Sequence, residues 1–291
     1  HAISGDSDVF SWWSKLVGPS KLLNPEEHFI ICSNALGGCR GTTGPSSLAP
    51  DGKKYGSRFP KITIGDMVTV QQALLTGLGV ARPLLVCGGS MGGAQGLEWG
   101  RRGAAEHVWL TASCAAHNPF QIAFNEVARQ AIFADPKWRN GDYPADDPPT
   151  AGLAAARMAG HLSYLSSEAF ENKFARRFQA GMDDVFEVES YLRYQGSKFT
   201  TRFDAGSLVV LSRALDRYAC TSLVGSSTKF LFTSYSSDWL YTSAQSADMH
   251  KMAQQAGCQS RFEEIDLPYG HDSFLLDDIH QPRIVSEFLQ G

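Results

Sequence analysis

No stretch of the chain approaches the roughly 18 consecutive apolar residues that a membrane-spanning helix needs, so no membrane is expected as a partner. Charge is also sparse. Only 19% of the 291 residues are charged and the formal net charge is -4, with Lys and Arg scattered. Such a surface offers no basic stripe for nucleic acid or an anionic bilayer. Cysteine is limited to six well-separated positions, Cys32, Cys39, Cys87, Cys114, Cys220 and Cys258. That usage suits reduced thiols in a cytoplasmic protein better than a disulfide framework, and no zinc-type spacing is present. No metal is therefore expected. There is no signal-peptide pattern, no repeat and no low-complexity tract.

What is present is a division of pattern. Residues 29 to 115 alternate short apolar runs with helical periodicity: "FIICSNAL" as a strand, "TIGDMVTVQQALLTGLGV" as a helix ending at Gly77 or Gly79, "PLLVCGG" and "HVWLTASCA" as strands. Strands alternating with helices imply a parallel, doubly wound sheet. From 119 to 221 the pattern becomes helix after helix, broken by the Pro/Gly/Asp-rich "DPKWRNGDYPADDPPTAG". Strand and helix return with "TKFLFTSY", "SADMHKMAQQAG", "SRFEEIDL" and "PRIVSEFLQ". The expected organisation is an α/β core formed by residues 1–118 and 222–291, carrying a helical cap at 119–221. The opening "HAISGD" has the character of a segment leaving a strand, so the core is expected to lack its N-terminal strands.

Between the run "PLLVC" and the helix-like "AQGLEWGRR" stands Gly-Gly-Ser-Met-Gly-Gly, one serine among four glycines. A plain strand-to-helix turn needs fewer. The G-x-S-x-G pattern in this context reads as a nucleophile elbow, which sets the Ser90 hydroxyl above the sheet on a strained turn. A serine hydroxyl is almost wholly protonated at neutral pH and requires a base. In this kind of fold the order along the chain is Ser, then Asp or Glu, then His. Asp238 in "SYSSDWLY" and His271 in "DLPYGHDSF" each follow an apolar strand and fall at the same sheet edge as Ser90. His107, His117, His161, His250 and His280 lack that placement. The glycine-rich "ALGGCRGTTGPSS" lacks the G-K-[ST] ending and following helix of a phosphate loop, which argues against nucleotide binding there.

These residues stand inside longer signatures. "HAISGDSDV", "NALGGCRGTTGPSS", "GGSMGGAQGLEW", "ARMAGHLSY", "SYLRYQGSKF", "FDAGSLVVLSRALD", "SSDWLY" and "GHDSFLL" resemble, in order and over nearly the whole chain, segments of the homoserine O-acyltransferase family. Gly65, where the family usually has arginine, and Ala94, where it has methionine, depart from the pattern.

The resemblance implies the α/β-hydrolase fold and a ping-pong acyl transfer, with acyl-CoA as a substrate rather than a bound cofactor. Ser90, Asp238 and His271 would form the catalytic triad, and the backbone N–H groups of Ile3 and Met91 the oxyanion hole. Arg157 and Tyr164, seven residues apart on one helix face, would hold the carboxylate end of a small hydroxy amino acid. Asp272 would receive its ammonium group. Acetyl is favoured over succinyl as the transferred group, and a homodimer formed through the cap is expected. Two alternatives remain open at this point: a serine hydrolase or esterase with the same triad, and an inactive fragment.

Overall fold

A computed structural model describes residues 1–291. After a short α1 (Val9–Trp12), the chain reaches α2 (Ile64–Gly77), β1 (Leu85–Gly89), α3 (Met91–Arg101) and β2 (His107–Thr111). Only helices follow before the sheet resumes: α4 (Pro119–Phe133), α5 (Thr150–Tyr164), α6 (Ser167–Phe174), α7 (Glu187–Thr200) and α8 (Ala205–Arg217). The remaining elements are β3 (Lys229–Tyr235), α9 (Ser243–Gln255), β4 (Ser260–Ile265), α10 (Ser273–Leu276) and α11 (His280–Gln290). The four strands lie side by side in the order β1-β2-β3-β4, every pair parallel.

The helix ends follow local chemistry. Thr63 caps α2, accepting from the Asp66 N–H while the Asp66 carboxylate accepts from the Thr63 N–H. Asn118 and Gln121 form the same reciprocal pair at α4, with Pro119 in the first turn, where a missing N–H costs nothing. Strand β2 is buried along its whole length and β3 in all but its first residue. That is why both read as continuous apolar runs rather than as alternating ones.

One sequence expectation fails. Residues 29 to 36, "FIICSNAL", form no strand, and Leu36 already begins a turn. A strand exists only where a neighbour accepts its backbone bonds. Here a cleft of about 440 Å³, bordered by Phe29, Ile31, Cys32, Val86 and Cys87, separates the segment from β1. The helix expected over "SEAFENKFARRF" also stops early, at Phe174, because Ala175 takes a positive φ of 45° and turns the chain away. The tract 135–152 is mostly loop, as expected, but holds a short 3-10 turn at Pro136–Gly141. No helix is long and apolar enough to cross a membrane.

Candidate active site

Strand β1 delivers Ser90 to the start of α3 with φ 57° and ψ -124°, a backbone region that L-residues rarely occupy. Two of the surrounding glycines are there for space. A Cβ on Gly88 would lie 2.6 Å from the Gly92 backbone, and one on Gly93 would lie 2.4 Å from the Ser113 side chain. The turn can close this tightly only without side chains, which accounts for the serine among glycines. Ser90 N–H donates to Ala112 O at 3.1 Å, and Ser113 Oγ donates to Ser90 O at 3.1 Å, so the turn is tied to the end of β2.

The two other strand ends supply Asp238, after β3, and His271, after β4. The His271 Nδ1–H donates to Asp238 Oδ2 at 2.8 Å, and both side chains are almost fully buried. Asp238 Oδ1 accepts from the N–H groups of Leu240 (2.9 Å) and Tyr241 (2.8 Å), which fixes the carboxylate plane. This pairing selects the tautomer that leaves His271 Nε2 as the basic nitrogen. Behind the loop, the Trp13 indole donates to Phe274 O at 3.0 Å and stacks on Trp109, while the Phe274 ring meets His271 edge-on at 5.5 Å. The imidazole is thereby wedged between a core aromatic and the cavity.

That cavity, small at about 70 Å³ and partly open to solvent, brings together Ile3, Ser90, His117, Arg157, Tyr164 and Tyr241 among its lining. Neither the Ile3 nor the Met91 N–H donates to any protein acceptor, so both remain available beside Ser90. The loop carrying Ile3 crosses the elbow closely: the His1 backbone passes 3.3 Å from where a Gly92 Cβ would stand. Met91 itself is buried, and its side chain packs into the core with Ile64, Met67 and Ala94.

Arg157 sits between rings and forms no salt bridge, with its guanidinium 4.8 Å from the Phe199 ring centre and 5.5 Å from that of Tyr164. Asp272 immediately follows His271 but does not cap α10, since its side chain accepts no bond from that helix. Burial raises its carboxyl above the usual range, opposed by the nearby His271 and Arg157. Asp238, His271 and Asp272 are not among the residues that line this cavity. The rings of Tyr241 (4.8 Å) and Tyr164 (5.9 Å) flank the His271 imidazole.

A second histidine–carboxylate pair borders the same cavity, and the sequence reading passed over it. The His117 Nδ1–H donates to Asp216 at 2.9 Å, and its Nε2 accepts from the Tyr241 hydroxyl at 2.7 Å. Asp216 also accepts from Asn125 (2.7 Å) and Arg129 (2.6 Å). Burial alone would raise the Asp216 carboxyl, but these hydrogen bonds more than offset it and hold it low. Burial drives the Tyr241 phenol well above its ordinary value, so it stays protonated and able to donate. His117 is discarded at the sequence level because it follows no strand bearing a nucleophile or acid. Its position just before the Asn118 cap is the only local signal, and it points to no partner. No group of side chains is arranged to hold a metal ion.

Comparison with known proteins agrees with this architecture. A family profile for the alpha/beta hydrolase fold matches residues 1–278. The chain is 44% identical, over an alignment of 322 positions, to a homoserine O-acetyltransferase of Desulfotalea psychrophila, covering 100% of this chain and 83% of the relative. Among solved structures, homoserine O-acetyltransferase from Bacillus anthracis superposes with a TM-score of 0.88 over 96% of this chain and 81% of that one, at 23% identity. Esterase E22 superposes with a TM-score of 0.86 over 96% of this chain and 82% of that one, at 26% identity. With its elbow serine, its helices between β2 and β3 and this full-length similarity, the chain belongs to the homoserine O-acetyltransferase family of the α/β-hydrolase fold.

Proposed function

We propose that the protein moves an acetyl group from acetyl-CoA to the hydroxyl of L-homoserine in two half-reactions through Ser90. His271 Nε2 takes the Ser90 proton as Oγ adds to the thioester carbonyl. The tetrahedral oxyanion accepts from the Ile3 and Met91 N–H groups, donors worth about 3 kcal/mol each when aimed at developing charge. Collapse breaks the C–S bond, and the imidazolium returns its proton to the CoA thiolate. In the second half the same nitrogen takes the proton of the homoserine hydroxyl, whose oxygen attacks the Ser90 ester. O-acetylhomoserine leaves, and the Ser90 oxygen recovers the proton.

One observation carries the reading. Ser90 shares its cavity with Arg157, a guanidinium flanked by two rings that forms no salt bridge. A forked cation of this kind suits the acceptor carboxylate. Asp272, beside the base and unspent on its helix, suits the ammonium group.

A hydrolytic reading is favoured by the similarity to esterase E22, since water can replace the acceptor at the same acyl-enzyme. Acetyl-CoA supplied with and without L-homoserine separates the two, with CoA release followed. Release stimulated by homoserine supports transfer. Equal release without it favours hydrolysis, and retention of activity in Ser90→Ala overturns the covalent scheme altogether.

A further inference from the structure

Helix α8 has two occupied faces. Leu208 and Leu215 look into the catalytic cavity. Gly206, Val209, Val210, Arg213 and Arg217 look the other way, into a cleft of about 600 Å³ whose opposite rim is made by Lys61 and the turn at Asn140. Three cations line this cleft and no carboxylate does, in a chain with more acids than bases; the acid at its rim, Asp142, accepts from the Ser57 N–H and hydroxyl. Arg213 and Arg217 are one helical turn apart, an arrangement of like charges that destabilises a helix when nothing neutralises it. Both are exposed, as is Lys61. Glu126, the acid that senses Arg213, is already hydrogen-bonded to Arg129 and Gln130.

The floor is apolar. Phe133 lies under the Arg213 guanidinium at 5.8 Å and against Trp138 at 5.4 Å. The rim is strained: Arg139, Asn140 and Gly141 take φ values of 45°, 56° and 96° in succession. Non-glycine residues are held in this left-handed region at a cost, and such strain gathers at ligand clamps. A cleft of this size with an apolar floor and convergent polar groups is the usual form of a small-molecule site.

We infer that this cleft binds the nucleotide end of the acyl-CoA donor, with the phosphates at Lys61, Arg213 and Arg217 and the base on the apolar floor beside Phe133. The inference rests on acyl-CoA being the donor. Its chemistry matches the cleft at both ends, because the ligand combines several phosphate charges with a flat ring. The two cavities lie on opposite faces of α8, so the acyl group would sit at Ser90 on one side of the helix and the nucleotide on the other, with the pantetheine arm running around it. This division of labour explains why a cavity built around a small amino acid needs no nucleotide-sized pocket of its own.

The test compares the protein with a double variant, Arg213→Glu with Arg217→Glu, which keeps the like-charge spacing and reverses its sign. Two thioesters are supplied, acetyl-CoA and S-acetyl-N-acetylcysteamine, the second having no nucleotide. The expected result is a rise of at least tenfold in the ratio of the acetyl-CoA KM to the short-thioester KM. Adenosine 3′,5′-bisphosphate, titrated calorimetrically, should bind the parent and Ser90→Ala alike and lose at least tenfold in affinity in the double variant. If both KM values rise together, or neither moves, the assignment is overturned. Bisphosphate binding that is unaffected by charge reversal overturns it as well. If the parent fails to use acetyl-CoA yet binds the bisphosphate in a charge-dependent way, the donor reading fails while the anion site stands.

Discussion

The Tyr241 ring stacks on the His271 imidazole, centroids 4.8 Å apart and planes 22° from parallel, while its hydroxyl reaches His117 at 2.7 Å. One side chain thus joins two histidine–carboxylate pairs. Tyr241→Phe keeps the stack and removes only the hydroxyl, leaving the buried His117 Nε2 without its donor. An unmade buried hydrogen bond costs about 1–3 kcal/mol, and urea unfolding should show a loss of that size. The kcat should fall by less than tenfold, because Asp238 still orients His271. A collapse of kcat with unchanged stability would mean that the phenol acts on the reacting atoms directly.

Ser90 is held at φ 57°, where glycine is comfortable and alanine is not. Ser90→Gly and Ser90→Ala should both abolish CoA release. Ser90→Gly should nevertheless be the more stable of the two by about 1 kcal/mol, because only it relieves the elbow. Equal midpoints in urea would show that the turn stores no strain.

Asp272 illustrates a site maintained against stability. Burial raises its carboxyl, so the folded protein holds a proton that the unfolded chain has already released. Stability therefore falls as pH climbs from the ordinary carboxylate range through the raised value, and the deficit persists at neutral pH. Asp272→Asn should be more stable than the parent at pH 7, with the difference vanishing in strong acid. The same variant, and Arg157→Ala, should lower kcat/KM for the amino-acid acceptor at least about tenfold, or 1.4 kcal/mol. Acylation of Ser90, followed as a burst of CoA, should change much less. Equal damage to both steps would make the two residues structural.

His161 behaves in the opposite sense. Burial, reinforced by Arg157 and Lys173, pushes its imidazole from 6.5 down to about 3. The unfolded chain then binds the extra proton across that interval, so folding stability declines as pH drops from about 6.5 towards 3. His161→Phe, retaining a ring between Tyr164 and Tyr191, should flatten the acid limb of the stability profile. An identical acid limb in the two proteins would contradict the burial argument.

Local signals in the sequence were enough to place the elbow, the strands around it and nearly every helix, because periodicity and caps lie within a few residues of one another. They failed at residues 29 to 36, where apolar character is present but a partner ladder is not. They failed again at His117, whose partners Asp216 and Tyr241 stand 99 and 124 residues further along. Arg157 and Tyr164 were readable as a pair since one helix carries both. The cleft behind α8 was not, because Lys61, Asn140 and Arg213 come from three separate segments.

Strand β2 pairs with β3 across the whole run of intervening helices; the Trp109 indole donates to Thr233, 124 residues away. Closing so long a loop must precede the contacts that reward it. β1–β2 and β3–β4 are each joined by one helix and can form as separate hairpin-like βαβ units, but the central seam cannot. The sheet can therefore assemble from two halves, with the seam between them as the step of longest loop closure. Until it closes, the inner edges of β2 and β3 lie bare, two of the most apolar strands in the molecule. Refolding at high concentration thus pits this one intramolecular joining against the same edges meeting between chains.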